Sequence, residues 1–293
     1  MRVTDRQLFQ NAAREAQASK SRVEAARREV STGLRVEKPE DDPAAASLIV
    51  LTRQQGDRED ALTKAMGAAF DELGSADAAL SGVSDALARA RELAVQLSNA
   101  TYSANERAGA AKEIDGLRAT VIGLMNTKAG HRYVFGGYQD GAPPFTQAGA
   151  YVGDTGVRQV EVAPGVLADA SVRADVAVSG VGGGVDVLAL LQTLSTALTA
   201  NNVGQIQGTL DGLDTGIKQV ALARSTVGSS QLVLEAATAA SMTAGLAAET
   251  RRANLSDADL IGASVRLAQA QQALDASLTA SAKSFQLSLL DKL

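Results

Sequence analysis

An apolar stripe lies at each end of this chain, and that pairing constrains the fold more than any other feature. Near the N-terminus Phe9, Ala16, Val23 and Val30 recur every seven residues, with Ala12, Ser19, Ala26 and Gly33 three positions after each. This is a heptad seam of small and branched side chains. The other faces hold Arg14, Glu15, Lys20, Arg22, Glu24, Arg27, Arg28 and Glu29, so only one narrow stripe asks for burial and a lone helix would be marginal in water. At the far end Leu267, Ala270, Leu274, Leu278, Phe285 and Leu289 form a second stripe. Two such stripes can pair with each other, with neighbouring copies, or with an export partner. Each fully buried Leu contributes about 1.5–3 kcal/mol. Half a dozen therefore offset the ordering of roughly 30 residues only where an assembly buries them well.

Between the ends the chain reads as helices around a different middle. Thr4 and Gln7 have capping-box spacing, which starts a helix near Asp5 that Gly33 ends. Glu37 to Pro43 is rich in breakers, with Asp42 as cap and Pro43 in the first helical position of the next helix. Helical spacing through Leu48, Leu62, Leu73, Leu87 and Leu97 predicts about 55 residues of continuous helix. Ser103 and Glu106 form a second capping box and restart the pattern through Ile114, Val121 and Leu124.

Five of the nine aromatic residues, Tyr133, Phe135, Tyr138, Phe145 and Tyr151, then fall in one short segment. Residues 158–162 and 171–178 alternate apolar with polar or small residues on either side of Pro164-Gly165, the period-2 signature of half-buried strands. Past Gly182-Gly183-Gly184, Asp186 is an N-cap candidate, and helical spacing resumes through Leu188 to Leu198 and again from Ile206 to about Arg252. Ser256 with Asp259 is read as the start of the last helix. The expected fold is mainly α with a small β insert. Its parts are terminal helices at 1–42 and 253–293, a helical rod at 43–130 and 187–252, and a β-rich insert at 131–186.

The inventory of reactive side chains is thin. No Cys is present and His131 is the one histidine, which removes thiol nucleophiles, Cys-based zinc sites and imidazole relays together. No enzyme activity, cofactor or metal is therefore expected. The acidic run Glu37, Glu40, Asp41 and Asp42 lacks the alternating ligands and glycine of a Ca²⁺ loop and reads as a capped helix entry. The glycines at 180–184 lack both dinucleotide and phosphate-loop fingerprints and read as a flexible junction. The aromatic run lacks basic companions for base stacking and reads as a small hydrophobic core. A net charge of -5 argues against a dominant nucleic-acid footprint, and no apolar run reaches membrane-spanning length. Residues 1–30 hold no continuous apolar stretch, so no cleaved secretory leader is expected.

Three segments carry a family resemblance. The N-terminal helix followed by Ser31-Thr32-Gly33-Leu34-Arg35-Val36 and Lys38-Pro39-Glu40-Asp41-Asp42-Pro43 resembles the flagellin-like N-terminal module. The C-terminal stretch from Leu267, ending Phe285-Gln286-Leu287-Ser288-Leu289-Leu290-Asp291-Lys292-Leu293, is similar to its C-terminal partner. Within that superfamily, Arg132-Tyr133-Val134-Phe135-Gly136-Gly137-Tyr138 with Pro144-Phe145 resembles the flagellar hook-associated protein 3 branch, the hook-filament junction proteins.

The resemblance implies an elongated helical bundle built from both chain ends with an outer β-rich domain. It implies a secreted structural component of the flagellum, exported unfolded and assembled as a thin layer between hook and filament. Implied partners are further copies of the chain, a neighbouring hook-associated protein, flagellin, and a flagellar export chaperone; nucleic acid and membrane are not among them. Phe9, Val23, Val30, Leu267, Leu274, Leu278, Phe285 and Leu289 are the expected assembly or chaperone surface. Two other readings stay open: a filament flagellin, and a helical binding module or adhesin whose β insert recognises a ligand.

Overall fold

The computed structural model describes residues 2–290; Phe9, Phe285 and Leu289, named above, have side chains outside the described residues. The chain is mainly α: α1 (Arg2–Thr32), α2 (Pro43–Leu97), α3 (Ala104–Met125), α4 (Ala174–Ala177), α5 (Val187–Thr199), α6 (Val203–Gly208), α7 (Leu210–Ser256) and α8 (Leu260–Leu290). Two small antiparallel sheets pair β1 (Lys128–Ala129) with β2 (Arg132–Tyr133) and β3 (Gln159–Ala163) with β4 (Val166–Asp169). The chain divides into two compact units, Met1–Arg58 with Ala244–Leu293, and Glu59–Thr243. Both α2 and α7 supply residues to each unit.

Local sequence explains most helix ends. Asp42 Oδ1 accepts the Ala45 N–H at 3.0 Å ahead of Pro43, which satisfies a backbone donor that the helix itself leaves free. Ser103 and Glu106 form the expected reciprocal box, with Ser103 N donating to Glu106 Oε2 at 2.7 Å. Asp186 accepts from Ala189 N at 2.8 Å and starts α5. Gly33 ends α1 at a φ of +69°, a region where a Cβ is strained. Two caps differ from expectation. Helix α1 already includes Thr4, so that residue is inside the helix and is not its N-cap. At α8 the cap is Asp259, whose Oδ1 accepts from Ile261 N at 3.1 Å. Ser256 instead closes α7, with its hydroxyl turned to Asp257.

In the Glu59–Thr243 unit one contiguous core runs from Leu62 to Leu234, centred on Met66, Leu73, Leu80, Leu87, Ile114, Leu191 and Leu198. Charged pairs brace it at the surface: Arg224 binds Asp77 at 2.8 and 3.1 Å, Arg91 binds Asp214 at 2.5 Å, and Arg89 binds Glu113 at 2.7 Å. Arg107, 3% exposed, donates to the carbonyls of Leu97 and Asn99 and to Asn201 Oδ1. It thereby ties the α2–α3 connection to the turn after α5.

The insert is less stranded than its alternation suggests. β3 and β4 flank Pro164-Gly165 as one tight hairpin, so the second strand is 166–169, while the predicted strand at 171–178 holds the short helix α4. Ala174, Ala177 and Val178 are buried and Val176 is exposed, as one helical turn places them, whereas a strand would put Val176 on the same face as Ala174 and Val178. Arg173 pairs with the buried Asp175 at 2.5 Å across that turn. Phe135 and Phe145 are fully buried, as expected of a small core, but Tyr138 is 68% exposed. Tyr151 stacks against Phe145 at 5.1 Å and donates its hydroxyl to the Asp154 carbonyl at 2.6 Å.

Candidate assembly interface

In the terminal unit α1 packs against α8, and the heptad seam lies between them. Ser19 and Ala26 are buried, while Ala12, Ala16, Val23 and Val30 are half-buried. On α8 the facing positions are Ala263, Leu267, Ala270, Leu274 and Ser277, alternating four and three residues apart. That alternation averages 3.5 residues and keeps one stripe on the partner helix. Arg266 Nη2 meets Glu29 Oε1 across the pair at 2.6 Å.

The helices meet at a backbone clasp. Arg35 N and Val36 N donate to the Ser256 carbonyl at 2.7 and 3.2 Å, and Ala258 N donates to the Gly33 carbonyl at 2.8 Å. The Arg35 guanidinium adds a bond to the Leu255 carbonyl at 2.8 Å. Because α1 runs into this clasp and α8 runs out of it, the two helices are antiparallel. The acidic run closes the turn beside it. Asp41 Oδ2 accepts from Lys38 N at 2.8 Å and Glu37 N at 3.0 Å, and those two N–H groups hold its carboxyl below its ordinary pKa. The Ala45 N–H, and then Arg35, do the same for Asp42.

Of the expected surface residues, the structure brings Val23, Val30, Leu267 and Leu274 into the seam as half-buried positions. Leu278 is 51% exposed and flanks the seam. It follows Leu274 by four residues where the heptad calls for three, and that place belongs to Ser277. The sequence reading missed a second apolar face on α8: Leu260, Ile261 and Val265 are 54%, 81% and 52% exposed. Ile261, Val265 and Ala268 stand at i, i+4 and i+7, a signal present in the sequence but overshadowed by the longer leucine stripe. Leu48, Val50 and Leu51 on α2 and Leu246 on α7 are also open in this unit. Among the described residues its buried apolar side chains are Ala26, Val36, Ala45, Ala248 and Ala263, four of the five being alanine. A cleft of about 490 Å³ opens between α1, the 34–41 turn and α8, lined by Arg22, Arg28, Arg35, Arg266, Glu29, Glu37 and Asp41 among others.

Residues 3–139 match the family described as the bacterial flagellin N-terminal helical region. Over 127 residues, 43% of the chain, the sequence is 39% identical to flagellar hook-associated protein 3 of Escherichia coli (strain K12). That stretch spans 40% of the E. coli protein. Among solved structures, a protein from Vibrio parahaemolyticus described as flagellar and hook-associated superposes over 74% of this chain and 100% of its own, with a TM-score of 0.68 at 19% identity. FlgL of Bacillus cereus covers 69% of this chain and 99% of its own, with a TM-score of 0.60 at 23% identity. The fold of this chain is thus the fold of those solved structures, and the family match lies in residues 3–139.

Proposed function

We propose that this chain, which carries the flagellin N-terminal helical region and resembles flagellar hook-associated protein 3, is a structural component of the bacterial flagellum at the hook-filament junction. It assembles there through its terminal helices into a thin adaptor layer. The observation that carries this reading is the makeup of the terminal unit. Among the described residues its buried apolar set is almost entirely alanine, while large side chains such as Ile261, Val265, Leu51 and Leu246 face solvent. Alanine burial contributes little beside about 1.5–3 kcal/mol for each buried Leu or Ile. The unit holds its largest hydrophobic reserve in reach of a neighbour.

In this reading residues 1–42 and 253–293 form the inner shell, 43–130 and 187–252 the surrounding helices, and 131–186 the outward insert. Other copies, a second hook-associated protein and flagellin are its neighbours in the flagellum. An export chaperone shields the C-terminal stripe containing Leu274, Leu278, Phe285 and Leu289 before secretion. The supporting logic is that an apolar stripe reused in assembly needs cover beforehand.

Deletion tests the reading. Removing residues 256–293 is expected to abolish incorporation into flagella and motility; normal motility would overturn the proposal. The matching control must spare the core, because Phe145, Val172, Ala174 and Val178 belong to it. Replacing only the exposed hairpin tip 164–167 by a short Gly-Ser link does so, because Val162 and Ala168 stay in place. This variant is expected to retain incorporation.

A further inference from the structure

The aromatic segment after β2 holds a tyrosine that is fixed without being covered. Tyr138 is 68% exposed, yet both of its ends are tied. Its backbone N–H donates to Asp154 Oδ1 at 2.9 Å, and its hydroxyl donates to the Val157 carbonyl at 3.0 Å. The ring also lies against Gly156, where any side chain would run into it. A free surface tyrosine loses rotamer freedom when a ligand stacks on it, whereas this ring is already held. Tyr138 lines a cleft of about 440 Å³, a size usual for small-ligand sites. Alanines of α2 and Val160 give the cleft its apolar lining, and Glu72, Arg132, Arg158 and Gln159 its polar lining. Charge cancels among these groups. Arg158 pairs with Glu72 and, at 3.2 Å, with Asp140, while Arg132 reaches Asp140 at 3.5 Å. Two carboxylates thus balance two guanidiniums.

We infer that Tyr138 and this cleft form a binding site for a neutral saccharide. An aromatic face carries the negative part of the ring quadrupole, which attracts the weakly positive C–H groups on one side of a pyranose. The pyranose hydroxyls both donate and accept, so they need both kinds of partner nearby. Arg132, with a side chain 64% exposed, supplies guanidinium donors. Gln159 gives one amide hydrogen to Asp169 at 2.9 Å, and its amide oxygen is open to a ligand donor among the described residues. A nucleotide base would also stack on the ring. Its phosphate, however, would meet Glu72 and Asp140, and the guanidiniums that could hold it are already neutralised by those carboxylates. A cationic ligand meets the converse obstacle. Every group invoked belongs to the Glu59–Thr243 unit, so the inference stands apart from the assembly reading above.

The test is solution NMR on the full chain with isotope-labelled tyrosine. Maltose, cellobiose, lactose and diacetylchitobiose are titrated separately to about 10 mM, enough to detect a Kd of about 1 mM. Expected is a saturable shift of the Tyr138 ring signals with at least one of these sugars, larger than any shift at Tyr102, Tyr133 or Tyr151. Tyr138→Leu removes the aromatic face at an exposed position and should weaken that Kd about tenfold. Tyr138→Phe keeps the face and should stay within about threefold of wild type. Tyr138 signals that move with none of the sugars overturn the inference, and this wild-type result is decisive even where Tyr138→Leu fails to fold. A Kd for folded Tyr138→Leu equal to wild type overturns it as well. So does adenosine monophosphate binding more tightly than every sugar.

Discussion

Ile261 offers the sharpest separation between folding and assembly. It is 81% exposed as the second residue of α8, two positions after the Asp259 cap. Full burial of an Ile side chain contributes about 1.5–3 kcal/mol, so four-fifths of that, about 1.2–2.4 kcal/mol, is still available to a neighbouring copy. Ile261→Ser forfeits it. At about 1.4 kcal/mol per tenfold, the critical concentration for assembly should rise roughly 7- to 50-fold. The isolated chain should change by less than about 0.5 kcal/mol, because the residue packs against little in the folded chain. Sedimentation of polymer from soluble protein across a concentration series measures the first quantity, and denaturant unfolding of dilute protein measures the second. Val166→Ser, at 53% exposure on the tip of the β3–β4 hairpin, serves as the control and should leave the critical concentration within about twofold. A wild-type critical concentration for Ile261→Ser, or a large loss of monomer stability, would refute the claim that this face is held open for a neighbour.

Three further outcomes follow from single positions. Gly33→Ala forces a Cβ into a left-handed backbone with φ +69° and should cost about 1 kcal/mol, read as faster hydrogen exchange at the Arg35, Val36 and Ala258 amides of the clasp. Arg107→Met leaves the Leu97 and Asn99 carbonyls without their donor. It should destabilise the Glu59–Thr243 unit by about 2–5 kcal/mol, lowering its Tm; an unchanged Tm would contradict the role assigned to this buried cation. Tyr151 has its phenol pushed up to about 12, first by burial and then by the negative fields of Asp175 and Asp154. A raised pKa means that the folded state holds the proton more tightly. The contribution is therefore complete below the ordinary value of 10 and is lost as pH climbs toward 12. Absorbance titration should show one late tyrosine, absent in Tyr151→Phe.

The helical plan was legible in the sequence because it rests on local chemistry. Asp42-Pro43, Ser103 with Glu106, Asp186 and Gly33 each act through backbone groups a few residues away, so their effect does not depend on what packs nearby. The heptad on α1 was likewise readable, since a repeat sustained over four heptads admits one face. Legibility failed where two conformations satisfy the same pattern. Val172, Ala174, Val176 and Val178 alternate as a strand would, yet the Pro164-Gly165 hairpin had already closed with 166–169, and the chain turned into a short helix. Thr4 and Ser256 failed for a related reason: a capping spacing states that a helix can start there, and the neighbouring chain decides whether one does.

Sequence alone thus determined that both ends are amphipathic helices of small-residue seams flanking a mainly helical chain with a β insert. It determined as well that sulfur and imidazole chemistry are nearly absent. Tertiary structure decided which side of each helix is spent. It placed Leu267 and Leu274 inside the α1–α8 seam, moved Leu278 to its flank, and left Ile261 and Val265 facing outward. Periodicity specifies a direction around a helix axis, but only packing in three dimensions specifies what stands in that direction. Among the described residues of the terminal unit the fully buried positions are chiefly alanine and serine, Leu267 and Leu274 are half-buried in the seam, and Ile261, Val265, Leu51 and Leu246 face solvent.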